Sequence, residues 1–150
     1  MNLKDRLVSD MKEAMKAREE GKLRLSVIRM ARASIKNVEI DKRRELTEEE
    51  VVEVLAREVK MRRDSIEEYV KAKRQDVIDQ LTEEIRILMA YLPEQLSETE
   101  IRQLVQEALQ ATGARGPKEM GKVMGCLMPK VKGKADGKLV NQIVKEALGD

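Results

Sequence analysis

The residues with the greatest capacity for chemistry lie between Gly113 and Lys138, in the stretch GARGPKEMGKVMGCLMPKVKGKADGK. It holds six of the chain's eight glycines, two of its three prolines and its single cysteine. Arg115, Lys118, Lys122, Lys130, Lys132, Lys134 and Lys138 are set there against only Glu119 and Asp136, a local charge of +5 in a chain that totals +2. Four of these lysines, 130, 132, 134 and 138, flank Gly133 and Gly137 where a last helix is expected to begin. Ammonium groups on flexible stems, beside open backbone N–H groups, suit phosphate oxygens. The plain alternative is a solubilising loop that touches nothing. A second basic set, Arg57, Lys60 and Arg63, continues into Lys71, Lys73 and Arg74. Glu58, Asp64, Glu67 and Glu68 are interleaved with it, which predicts an internal charge network ahead of a second RNA contact.

Several kinds of chemistry are excluded. The chain has no histidine, so it lacks Ser-His and Cys-His nucleophile pairs and the commonest general base. Zinc and di-iron sites that need imidazole fall with them. Cys126, between Gly125 and Leu127, reads as a small core residue. The many carboxylates fall on polar helix faces, as i,i+4 charge partners would. Gly116–Lys122 has the G-x-x-x-x-G-K spacing of a phosphate-binding loop, but Val123 stands where a Ser or Thr hydroxyl should hold magnesium. A helix, not a strand, precedes it, which rejects a nucleotide loop. No catalytic residue, cofactor or metal is therefore expected.

Aromatic side chains make up 1% of the chain: Tyr69 and Tyr91, both expected at the edge of the core. Proteins that read single strands stack bases on exposed rings. A lysine-and-glycine surface without rings fits the backbone and shape of a folded RNA instead.

The elements that carry these residues read as helices throughout. Leu3, Leu7, Met11, Ala14 and Met15 recur at helical spacing and predict a first helix over 2–19, ending near Gly21. Leu23, Val27, Ala31, Ile35 and Val38 mark a second, and the polar cluster Asp41–Glu45 reads as a loop. Thr47-Glu48-Glu49-Glu50 is a capping box that opens a long third helix, with a pause near Lys73. Ile78, Leu81, Ile85, Leu88 and Leu92 form a bundle-type seam on a fourth, which Pro93 is expected to end. Short connections predict an antiparallel helical bundle over 1–92. Residues 93–96 read as a linker. Residues 97–150 then read as a small three-helix domain: a capping box at Ser97–Glu100, a left-handed cap at Gly113, Pro117 opening the middle helix, Pro129 stopping it, and Asp136 capping the last. Met120, Val123, Met124 and Leu127 are expected inside. The fold class is all-α.

The single cysteine suits a reducing compartment, and no stretch is long and apolar enough for a membrane span. These features predict a soluble, cytoplasmic protein.

Five segments in order carry a resemblance to a known family: Leu25-Ser26-Val27-Ile28-Arg29, Arg57-Glu58-Val59-Lys60-Met61-Arg62, Tyr91-Leu92-Pro93-Glu94-Gln95-Leu96, Met120-Gly121-Lys122-Val123-Met124-Gly125 and Gly133-Lys134-Ala135-Asp136-Gly137. Together they resemble the YqeY family over essentially the whole chain. That family is similar to the tail domain of the B subunit of the glutamine-dependent aspartyl/glutamyl-tRNA amidotransferase. The resemblance implies a helical N-terminal unit and a three-helix C-terminal unit, of the kind that holds tRNA while other domains do the chemistry. Two alternatives stand beside it: docking onto an amidotransferase or another cytosolic complex through an apolar Met-rich face of Met120, Met124 and Met128, and, implied by the resemblance, a carbon–nitrogen ligase label with glutamine as amido donor. The residues themselves offer neither a glutaminase nucleophile nor an ATP site for the last of these. The expected partners are thus tRNA or an amidotransferase, with no membrane.

Overall fold

The computed structural model describes residues 1–149 and is all-helical: seven α-helices and two short 3-10 turns, with no strand among the described residues. The chain divides into two compact units, Met1–Leu92 and the part from Pro93 onward, each with its own core.

The first unit comprises α1 (Leu3–Lys16), a 3-10 turn at Arg18–Gly21, α2 (Lys22–Lys42), α3 (Glu48–Lys71) and α4 (Gln75–Met89). The Thr47 capping box forms as the sequence predicts, and Asn2 adds an N-cap to α1. The Asn2 side chain accepts the Asp5 N–H at 2.8 Å. Thr47 Oγ1 accepts the Glu50 N–H at 3.2 Å while the Thr47 N–H donates to Glu50 Oε1 at 3.0 Å, satisfying two orphan helix-terminal donors. Leu7, Val27, Ile28, Leu55 and Leu88 are fully buried between the helices. Packing α2 against α1, α3 and α4 removes their apolar faces from water.

α1 stops at Lys16, short of the expected residue 19, and passes into the 3-10 turn; helix ends depart from expectation in three further places. First, α2 runs two residues into the expected loop and closes on Arg43 in the left-handed region, φ +56°. Lys73 does the same after α3, φ +57°. A non-glycine residue there costs about 1 kcal/mol, partly offset by a cation lying beside the negative end of the helix dipole. Second, α4 ends at Met89 rather than at Pro93. The chain tightens into i→i+3 bonds, Tyr91 N–H to Leu88 O at 3.0 Å and Leu92 N–H to Met89 O at 3.2 Å, before the proline is reached. Tyr91 is buried, its hydroxyl donates to Asp10, and the Arg6 guanidinium lies 5.0 Å above its ring. Burial, and then the Asp10 carboxylate, push its phenol up to about 12. Tyr69 instead sits exposed at the end of α3.

The second unit comprises α5 (Glu98–Thr112), a 3-10 turn at Pro117–Glu119, α6 (Met120–Val131) and α7 (Gly137–Leu148). Ser97 and Glu100 form the second capping box, and Gly113 closes α5 at φ +69° with its N–H on Leu109 O at 2.9 Å. Ile101, Val105, Val123, Leu127, Val140 and Val144 fill the core. Here lies the third departure: Pro129 sits inside the last turn of α6 rather than stopping it. The carbonyl that loses its donor belongs to Gly125, which is exposed and so open to water.

One ion pair in the first unit predicts an acid response. Glu39 accepts from Lys4 Nζ at 2.7 Å and from the Leu46 N–H at 2.9 Å, which clips the loop before α3 onto α1 and α2. The Lys4 ammonium, then the Leu46 N–H, hold the carboxyl below its usual range. A carboxyl lowered in the folded state contributes stability above its unfolded pKa of about 4.3 and loses it as the pH falls toward the folded value. Glu39→Gln is therefore expected to cost about 1–2 kcal/mol at pH 7, and the gap from the native protein should narrow as the pH falls below about 4.3. Thermal melts of both proteins from pH 7 to pH 3 check this; a gap independent of pH would contradict it.

Candidate nucleic-acid interface

Val123, Leu127 and Val131 recur every four residues on α6 and are buried, which turns Gly121, Lys122 and Gly125 toward solvent. A Cβ placed on either glycine would meet nothing within 4 Å, so this face of the helix is bare backbone with one lysine on it. Met120 and Met124 are half-buried against the core instead of fully inside, and Met128 is exposed. Cys126 is also half-buried against that core.

Beyond Val131 the chain leaves the helix through Lys132 and turns at Gly133, whose φ of +75° favours glycine. The loop is held at four points. The Lys132 N–H donates to Met128 O at 3.0 Å and the Lys134 N–H to Val131 O at 2.9 Å. Lys134 O accepts the Leu96 N–H at 2.8 Å, and Gly133 O accepts from Gln95 Nε2 at 2.9 Å. Asp136 caps α7 by accepting the Lys138 N–H at 3.1 Å. Three of the N–H groups that a phosphate could have used, those of Lys132, Lys134 and Lys138, are thus already taken.

The side chains of Lys130, Lys132, Lys134 and Lys138 are all exposed around this pinned loop, and Lys122 lies on the bare face of α6. Lys132, Asp136 and Lys138 are engaged within the chain, whereas Lys122, Lys130 and Lys134 form no salt bridge among the described residues. The five lysines therefore lie on α6, the loop that follows it and the first turn of α7.

Arg57, Lys60 and Arg63 belong to the other unit, on α3. Lys60 is paired with Asp64 at 3.2 Å, and Arg63 reaches Met89 Sδ at 4.0 Å. Arg57 is exposed and forms no salt bridge among the described residues. Between them lies a group that the charge pattern does not announce. Arg62 is buried, donating from Nε to Glu84 Oε1 at 2.9 Å and from Nη1 to Glu58 Oε2 at 3.1 Å. The i,i+4 spacing of Glu58 and Arg62 is a signal for half of it. Glu84, on the next helix, carries none.

Gly116 is extended and Pro117–Glu119 is a 3-10 turn that follows α5, so the G-x-x-x-x-G-K spacing is not mounted on a strand–loop–helix.

Comparison with known proteins places the chain. The family model described as "Yqey-like protein" matches residues 4–148. The chain belongs to the YqeY family. Among curated relatives, "Altered inheritance of mitochondria protein 41, mitochondrial" of Pyrenophora tritici-repentis is 32% identical over 96% of this chain and 80% of its own length. The protein of that name from Kluyveromyces lactis is 42% identical over 57% of this chain and 45% of its own. A shorter likeness, 44% identical over 48 residues, joins 32% of this chain to 8% of the E subunit of glutamyl-tRNA(Gln) amidotransferase of Thermococcus sibiricus. This amidotransferase likeness is to an E subunit.

These names overturn the cytoplasmic expectation, because the fungal relatives are named as mitochondrial proteins. One unpaired thiol reports reducing surroundings and not an address, so composition does not tell one such compartment from another. No helix of the described residues is long and apolar enough to cross a membrane.

Proposed function

We propose that this YqeY-family chain is a non-catalytic, tRNA-associated binding module that grips the RNA backbone with the α6–α7 segment. The observation that carries this reading is the loop itself: exposed lysines on a backbone pinned at four points, with Lys122, Lys130 and Lys134 outside any salt bridge of the described residues. Held backbone lowers the ordering cost of binding, and cations not already paired gain most from phosphate. The likeness to an amidotransferase whose name specifies a tRNA supports tRNA as the RNA.

A mobility-shift titration with total tRNA across a salt series tests it. Four phosphate contacts predict a slope of about −3 to −4 in log affinity against log salt. Replacing Lys130, Lys132, Lys134 and Lys138 together by Glu should abolish binding at low salt while the helical circular dichroism persists. Unchanged binding in that variant sinks the proposal.

Docking onto an amidotransferase or another protein complex is a second reading, favoured by Met128, which is 38% exposed at the end of α6. Capture of a protein partner that survives RNase treatment and is lost in Met128→Ser would support it over the first.

A further inference from the structure

A separate basic surface lies on the first unit, in a cleft of about 500 Å³ between α1 and α2. Leu7 and Ile35, both buried, form its floor, and Val8 and Ala33 its apolar walls. Arg29, Arg32 and Lys36 stand along one edge at i, i+3 and i+7 on α2, so they share a helix face and span about 10 Å along its axis. None of the three forms a salt bridge among the described residues. Arg32 instead directs Nη1 at Met11 Sδ, 3.2 Å away. The acids at the rim offset them only in part: Glu39 is held first by Lys4 and the Leu46 N–H and feels Lys36 without forming a salt bridge to it, and Glu45 is exposed. Elsewhere in this unit, Arg24, Lys42, Arg44, Lys60, Arg62 and Arg86 each sit beside a carboxylate. Three cations outside any salt bridge of the described residues thus share one helix face next to an apolar hollow.

We infer that this α1–α2 cleft binds a nucleotide, with its phosphate on Arg29, Arg32 and Lys36 and its base and sugar over the apolar floor. The volume falls in the range of small-molecule sites. Two arginines favour phosphate over other anions because the guanidinium fork matches its oxygens. An apolar hollow beside them asks for more than a bare anion, since inorganic phosphate would leave it empty. The nucleotide can come from two sources: a free nucleotide, or one nucleotide of an RNA strand laid across the cleft.

AMP is the probe for the full chain. A titration followed by amide chemical shifts should saturate in the millimolar range or below, with the shifted amides confined to α1 and α2. Adenosine, lacking the phosphate, should bind at least about tenfold more weakly, and Arg29→Gln/Arg32→Gln/Lys36→Gln should lose AMP to a similar extent. The three side chains are exposed, so the variant should melt with the native protein. Competition by a short single-stranded RNA assigns the site to an RNA nucleotide, and its absence assigns it to a free one. Equal binding of adenosine and AMP, shifts spread over both units, or AMP binding untouched in the triple variant would each overturn the inference. The cleft is independent of the lysine loop. The quadruple Lys→Glu variant of residues 130–138 should still bind AMP, so failure of either site can be told from failure of the other.

Discussion

Gly21→Ala is expected to destabilise the first unit by about 3 kcal/mol and to lower its melting temperature by roughly 15 °C. The cause is packing and not backbone freedom. Gly21 has φ −96° and ψ 2°, a conformation open to any residue. Its Cα, however, is pressed against α1 where the 3-10 turn doubles back. A Cβ built there would lie 2.2 Å from the Ala14 carbonyl oxygen and 2.9 Å from its carbon. Those are backbone atoms of a buried residue, so no side-chain rotation can relieve the overlap. The turn must open, and α1 and α2 must separate along the seam that buries Leu7 and Val27. Gly121 provides the contrast: a Cβ there meets nothing within 4 Å, on an exposed helix face. Gly121→Ala should therefore stabilise the second unit by about 0.5–1 kcal/mol through helix propensity. Thermal and urea melts of both variants decide the matter, and a Gly21→Ala protein that melts with the native chain would show that the turn yields freely.

Gly21 also illustrates what local sequence chemistry can and cannot reveal. The apolar period places it at the end of the first helix, which is its position but not its reason. Thr47, Ser97, Gly113 and Asp136 act within three or four residues of themselves, so their capping roles are legible before any fold is known. Pro129 and the end of α4 differ from expectation because a proline restricts where a helix can continue without dictating where it stops. Tyr69 and Val70 follow the apolar period of α3 and yet are exposed, because period alone does not say how far along a helix its partners cover it. The candidate interface divides in the same way. Its charge is plain from composition. Which lysines stay outside salt bridges, and that Asp136 takes one of the N–H groups, depends on contacts that only the folded chain makes.

The contact least visible in sequence carries the other large expected effect. Arg62→Met should cost about 3–5 kcal/mol. Arg62 is buried with two carboxylates, Glu58 on its own helix and Glu84 on α4, and also donates from Nη1 to the Glu58 carbonyl at 3.0 Å. Ser34 of α2 donates to Glu58, and Gln80 of α4 donates to Glu84 at 3.1 Å, so the guanidinium is the hub that joins three helices. One cation against two anions leaves the cluster at net −1 in a site removed from water. Methionine would fill much of the arginine's volume, and the loss therefore comes from two carboxylates stranded without a counter-charge, not from a cavity. A second expectation opposes intuition. Replacing all three together, Glu58→Leu, Arg62→Met and Glu84→Leu, should restore native stability or exceed it by about 1–4 kcal/mol, because no charge then has to be desolvated. Ser34 is only half-buried and Gln80 is exposed, so water can replace the carboxylates they lose. Urea denaturation of the single and triple variants separates the two accounts. If the triple variant is as unstable as Arg62→Met, the cluster holds the helices by attraction rather than merely tolerating its own burial, and desolvation is not the controlling cost.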